Sequence, residues 1–73
     1  MEDNIFELIS ETLRIDGIQL RENRDNKDIW DSLQRIEILF ALEDEFGIAF
    51  SEDELSDVTT PQRLIDITIR KVQ

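Results

Sequence analysis

The sequence predicts an all-α fold, a small bundle of three to four helices with a long loop between the first and second. Three observations carry this expectation. Apolar residues recur at three- and four-residue spacing in separate blocks, as in Ile5, Leu8, Ile9 and Leu13. Residues suited to capping helix starts stand just ahead of the blocks. The one β-branched run, Ile65, Ile67, Thr68 and Ile69, has no second strand to pair with. At 73 residues the chain is read as a single domain, 1–73. A chain this short buries only about 60% of the surface its unfolded form exposes, so a modest core is expected.

The first helix is placed at roughly 4–14, with Phe6 beside the inner stripe and Asn4 and Glu7 spaced as a capping box. Gly17 then punctuates the chain. Residues 16–30 carry Asn23, Asn26 and scattered acids among sparse apolar residues (Ile18, Leu20, Ile29, Trp30), without sustained periodicity, and read as a long surface loop. Trp30 is expected to anchor that loop on the bundle.

A second helix is announced by Asp31, whose carboxylate suits the N-cap while Gln34 reaches back to complete a capping box. From Ser32 to Phe46, Leu33, Ile36, Leu39, Phe40, Leu42 and Phe46 make a wide apolar arc that Ile38 extends, and Gln34, Glu37, Asp44 and Glu45 gather opposite. Gly47 suits a left-handed stop. Ser51 and Glu54 form a further capping box for a short third helix over about 52–57. Pro61, after Thr60, begins a fourth, with Leu64, Ile65, Thr68 and Val72 inward.

Composition narrows the function classes. The charge is 8 basic minus 18 acidic residues, or −10, which argues against a nucleic-acid backbone as partner and for basic ones. The acids concentrate in the middle: residues 31–60 hold 9 acids and 1 base. With no histidine and no cysteine, the usual general base, thiolate nucleophile and zinc ligands are missing, so no catalytic residue and no metal ligand is assigned. Glu43-Asp44-Glu45 and Glu52-Asp53-Glu54 lack the spaced ligands and central glycine of a calcium loop. No apolar run approaches a membrane span, and Met1 to Asn4 carry acids where a secretory signal carries Lys or Arg. A soluble, cytoplasmic, monomeric protein is the expectation.

The stretch Asp31-Ser32-Leu33, with Ile36-Glu37 and then Ala41-Leu42-Glu43-Asp44-Glu45-Phe46-Gly47-Ile48, resembles the acyl carrier protein family. The likeness runs through Thr59-Thr60 and the helix from Pro61, covering about 29–69 in register. The resemblance implies a bundle of acyl-carrier-protein type in which Ser32 bears phosphopantetheine, whose thiol holds acyl or aminoacyl groups as thioesters. It also implies that Asp31, Leu33, Ile36, Glu37, Phe40, Glu43 and Asp44 face partner enzymes. Those partners would be a phosphopantetheinyl transferase, an acyl- or aminoacyl-activating ligase, and a downstream transferase or synthase with a basic docking patch. The residues agree independently: a serine at a helix start sits where free N–H groups and the helix dipole favour a phosphate. Family members shelter cargo between helices, and Phe6, Phe40, Phe46 and Phe50 as bulky occupants of that space suggest a short one.

Four positions depart from the fatty-acid pattern. Ile29 stands where a glycine is usual, Trp30 precedes Asp31, Gln34 replaces a frequent acid, and Arg35 replaces a small or neutral residue near the attachment point. Trp-Asp-Ser-Leu is more similar to specialised stand-alone carriers. The alternative of a different class is an acidic helical adaptor that binds a basic or amphipathic partner and never carries a prosthetic group.

Overall fold

The computed structural model describes residues 2–72, so Met1 and Gln73, the outermost positions of the expected domain, lie outside the described residues. Its helices are α1 (Glu2–Leu13), α2 (Gly17–Glu22), α3 (Ser32–Phe46), α4 (Glu52–Asp57) and α5 (Pro61–Val72), with a 3₁₀ turn over Lys27–Ile29. The all-α class is as expected.

α1 begins earlier than the Asn4–Glu7 spacing indicates, and Asn4 lies inside the helix rather than capping it. Two acids explain the difference. Glu2 and Asp3 occupy the first turn, where negative charge meets the positive helix end, and both are held from outside the helix. Arg21 Nη2 donates to Asp3 Oδ1 at 2.9 Å, and Arg24 Nη2 to Glu2 Oε1 at 3.4 Å. α1 stops at Arg14, which adopts φ 61 while Ile15 N donates to Ser10 O at 3.0 Å. This is a left-handed helix stop made without glycine.

The long loop expected over 16–30 is instead built from α2 and the 3₁₀ turn. Asp16 caps α2 by accepting from Ile18 N at 2.9 Å, Leu20 is buried in the core, and Gly17 serves as the first helical residue rather than as a turn. Arg21 and Arg24 lie over the Phe6 ring at 4.7 and 5.3 Å, so two cations hold one aromatic ring of α1. Arg24 also reaches α5: its Nε donates to Gln62 Oε1 at 2.7 Å, and Gln62 N donates to Arg24 O at 2.9 Å. Asn26 then caps the 3₁₀ turn through Asp28 N at 3.0 Å. A six-residue helix with one buried side chain shows no periodicity, and tertiary contacts make up the stability that so short a helix lacks.

α3, α4 and α5 start where their capping signals stand. Asp31 and Gln34 exchange both bonds of a capping box, Ser51 and Glu54 do the same for α4, and Thr60 Oγ1 accepts from Arg63 N at 3.2 Å ahead of α5. Gly47 ends α3 at φ 64, the left-handed conformation that suits glycine. The core gathers Ile5, Phe6 and Ile9 from α1, Leu20 from α2, Ile38, Leu39 and Leu42 from α3, and Leu64, Ile65 and Ile67 from α5, with Trp30 and Val58 from the connections. Thr68, as expected, faces inward, and its hydroxyl is satisfied by Leu64 O at 2.7 Å. Val72, expected inward, is only half-buried at the helix end. Lys71 Nζ joins α5 to α4 by donating to both carboxylate oxygens of Glu54, at 2.8 and 3.1 Å.

Candidate functional site

α3 divides its apolar residues between two faces. Ile38, Leu39 and Leu42 are buried, whereas Leu33, Ile36 and Phe40 are 66%, 44% and 65% exposed. At about 100° per residue these two sets fall on different sides of the helix. The single wide arc read from the sequence is therefore an inner face and an outer seam. Phe40 looks outward and is not an occupant of the interior; Phe6 is buried, and Phe46 and Phe50 pack partly against the core.

Exposed acids border the outer seam. Asp31, Glu37 and Asp44 are exposed, and Ser32 and Leu33 open the helix beside them. Asp31, Ser32, Leu33, Ile36, Glu37, Phe40 and Asp44 thus share one accessible surface. Glu43, grouped with them on sequence, is half-buried, and its Oε2 accepts from Phe50 N at 2.8 Å, fastening the segment after α3. That bond engages a carboxylate oxygen a partner would need.

Ser32 is exposed at the first helical position of α3. Its surroundings follow from the cap: Asp31 Oδ1 takes the N–H of Gln34 at 2.7 Å, and Gln34 Oε1 takes the N–H of Asp31 at 3.0 Å. The N–H groups of Ser32 and Leu33 have no acceptor among the described residues. Beside the serine lies an open groove of about 420 Å³, lined by Lys27, Asp28, Trp30, Asp31, Ser32, Arg35 and Thr59. Trp30 is 6% exposed and packs in the core, the anchor the sequence indicates. Its Nε1 is a buried donor without a partner.

The groove residues Lys27 and Thr59 are not legible in the sequence as neighbours of Ser32, whereas Arg35 is expected near it. Arg35 did stand out as the lone base between residues 31 and 60. Its Nη1 donates to Val58 O at 3.3 Å, crossing from α3 to the segment before α5. Leu55 of α4 is a further exposed apolar residue. The hydrogen bond from Lys71, then that from the Ser51 backbone, hold the Glu54 carboxyl below its usual value of 4.5.

A helical bundle that offers an unencumbered serine at the positive end of its longest described helix is a scaffold for an anionic ester. The profile of the family described as "Phosphopantetheine attachment site" matches residues 3–67. The chain belongs to that family, whose members are phosphopantetheine-bearing carriers rather than catalysts. Among curated proteins it is similar to "Acyl carrier protein 1, chloroplastic" of Spinacia oleracea, 33% identical over 67 residues, 89% of this chain and 49% of that protein. The chain thus spans about half the length of that relative. No solved structure matches. No helix among the described residues is long and apolar enough to cross a membrane, and among them no group of side chains is placed to hold a metal ion.

The residues present fit phosphopantetheine. An exposed hydroxyl and two free first-turn N–H groups stand together at the start of α3, and the serine borders an open groove. When bound, the group supplies a thiol that holds acyl units as thioesters, and so provides the sulfur that a chain without cysteine lacks.

Proposed function

We propose that this chain is an acyl or aminoacyl carrier whose attachment residue is Ser32, serving a specialised rather than a housekeeping fatty-acid pathway, with a short cargo. The observation that carries the reading is the exposure of Ser32 at the start of α3, directly continuous with the seam of Leu33, Ile36 and Phe40. Esterification there disturbs no packed group. The first-turn N–H groups and the helix dipole favour the phosphodiester. Asp31 holds the turn open by capping Gln34, so the serine need not serve as the cap itself.

The docking face is Asp31, Leu33, Ile36, Glu37, Phe40 and Asp44. Exposed apolar anchors bordered by carboxylates suit an apolar depression ringed by Arg and Lys, the charges raising the encounter rate and setting orientation. A phosphopantetheinyl transferase, an activating ligase and a downstream transferase or synthase would each meet this face in turn, with the carrier acting as a cytoplasmic monomer. Heavy like charge along the seam opposes its pairing with a second copy. Ile29, Trp30 and Arg35 depart from the fatty-acid pattern, and Trp30 and Arg35 line the groove beside Ser32, which supports a specialised set of partners.

The test is to incubate the chain with coenzyme A, magnesium and a broad-specificity transferase and to measure its mass. A gain of one phosphopantetheine that vanishes in Ser32→Ala is expected. No gain, or a gain that survives the substitution, would overturn the assignment.

A further inference from the structure

Arg35 is out of keeping with the surface around it. It is the one base among residues 31–60, which hold 9 acids. Arg21, Arg24, Arg63 and Lys71 each pair with a carboxylate, but the Arg35 guanidinium has none within ion-pair reach among the described residues. It is nonetheless held in position: Nη1 donates to Val58 O at 3.3 Å, and the side chain is half-buried along the groove beside Ser32. Ser32 and Arg35, three residues apart, are neighbours on α3. At about 100° per residue, Glu37 and Asp44 flank the seam of Leu33, Ile36 and Phe40 on one side, and Ser32 and then Arg35 lie on the other. Lys27 adds a second base to the groove, against the carboxylates of Asp28 and Asp31, so formal charge there cancels. One flank of the docking face is therefore acidic and the other neutral on balance.

We propose that Arg35 is a specificity-determining residue: it disfavours enzymes whose docking sites are ringed by bases throughout and fits partners that set a carboxylate against the groove flank. This role presupposes the docking face and the attachment at Ser32. A base-ringed site gains on the side of Glu37 and Asp44, but it brings a like charge onto Arg35, next to the hydroxyl that must reach its active centre. Specificity arises as much from a repulsive contact with the wrong partner as from an attractive one with the right partner. The bond to Val58 O sharpens the effect, since an arginine tied to a backbone oxygen swings away from an approaching cation less readily than a free one. A partner carboxylate in the same place accepts charge-assisted hydrogen bonds from the guanidinium N–H groups that Val58 O does not use.

The full chain, Arg35→Gln and Arg35→Lys are compared as substrates of a broad-specificity phosphopantetheinyl transferase chosen for a docking patch of Arg and Lys, with arm transfer followed by mass. Gln and Lys are both good helix formers, so α3 is kept in each. At low salt Arg35→Gln is expected to raise kcat/KM about twofold to fivefold, the scale of one exposed charge pair, and the gain should fade at about 1 M salt, where charges act over only about 3 Å. Arg35→Lys, which keeps the charge and loses the planar fork, should stay close to the parent. A merely structural tie to Val58 would instead slow both variants alike, whatever the salt. When the ring bases of the transferase are changed to Glu one at a time, one change should reverse the order, so that the parent outpaces Arg35→Gln. No salt-sensitive gain in Arg35→Gln, or no such reversal, would overturn the role of Arg35 while leaving attachment at Ser32 intact. A parent chain that gains no mass would remove both.

Discussion

Leu39 and Phe40 are neighbours in sequence and opposites in role, so truncating each in turn separates core from docking face. Leu39 is 3% exposed, and cutting a buried leucine to alanine costs about 2–5 kcal/mol. A 73-residue domain holds only about 4–11 kcal/mol in total, so Leu39→Ala removes a large fraction of it. Phe40 is 65% exposed. Only about a third of the ~3–5 kcal/mol lost by a fully buried phenylalanine then applies, or about 1 kcal/mol. In a domain of this size about 1 kcal/mol moves Tm by 4–8 °C, so Leu39→Ala should lower it by at least about 8 °C and Phe40→Ala by no more than about 8 °C. Docking should rank them the other way. Phe40→Ala is expected to reduce kcat/KM for arm transfer by about tenfold or more, the loss typical of a central apolar anchor. Leu39→Ala, assayed well below its Tm, should change it little. Thermal unfolding followed by circular dichroism and steady-state transfer kinetics on the same samples decide the matter. Phe40→Ala as unstable as Leu39→Ala, or a full-rate substrate, would refute the two-faced reading of α3.

Three further outcomes follow from the same structure. Gly47→Ala meets no atom within 4 Å, so its effect is backbone strain at φ 64 alone; a loss of about 1–2 kcal/mol is expected in urea unfolding, with no change in arm transfer. The folded-state pKa of Glu54 lies below its ordinary 4.5, so the Lys71 bridge contributes stability that is present above that value and is lost as pH falls through the depressed one. Acid unfolding curves should show Glu54→Gln losing less stability than the parent between neutral pH and the acid transition. A net charge of −10 on so small a body opposes compaction, so added salt or calcium should raise Tm by screening; an unchanged or lowered Tm would contradict that.

The local signals in the chain are reliable wherever a helix starts on a polar cap or stops on a glycine. Asp31 with Gln34, Ser51 with Glu54, Pro61 and Gly47 each place a boundary that the structure keeps, because the bonds involved join residues only a few positions apart. The pattern around Ser32 is legible for the same reason. The misreadings share a different cause. Asn4 and Glu7 have the spacing of a box, but α1 starts at Glu2, where Arg21 of α2 and Arg24 just beyond it hold the acids. Residues 16–30 read as loop, since α2 depends on Leu20 reaching the core and on Arg21 and Arg24 gripping Phe6.

What the amino-acid sequence determined by itself is the all-α class, the starts of α3, α4 and α5, and the presence of a serine at a helix start beside acids. Tertiary structure alone decided that Phe40 faces outward while Leu39 faces inward, that Glu43 is engaged by Phe50, and that Trp30, Lys27, Arg35 and Thr59 share a groove with Ser32. Caps act through hydrogen bonds within one helical turn and leave their mark in short motifs. Which face of an apolar helix meets the core depends on where the other helices pack, and that is set by residues far away in the chain.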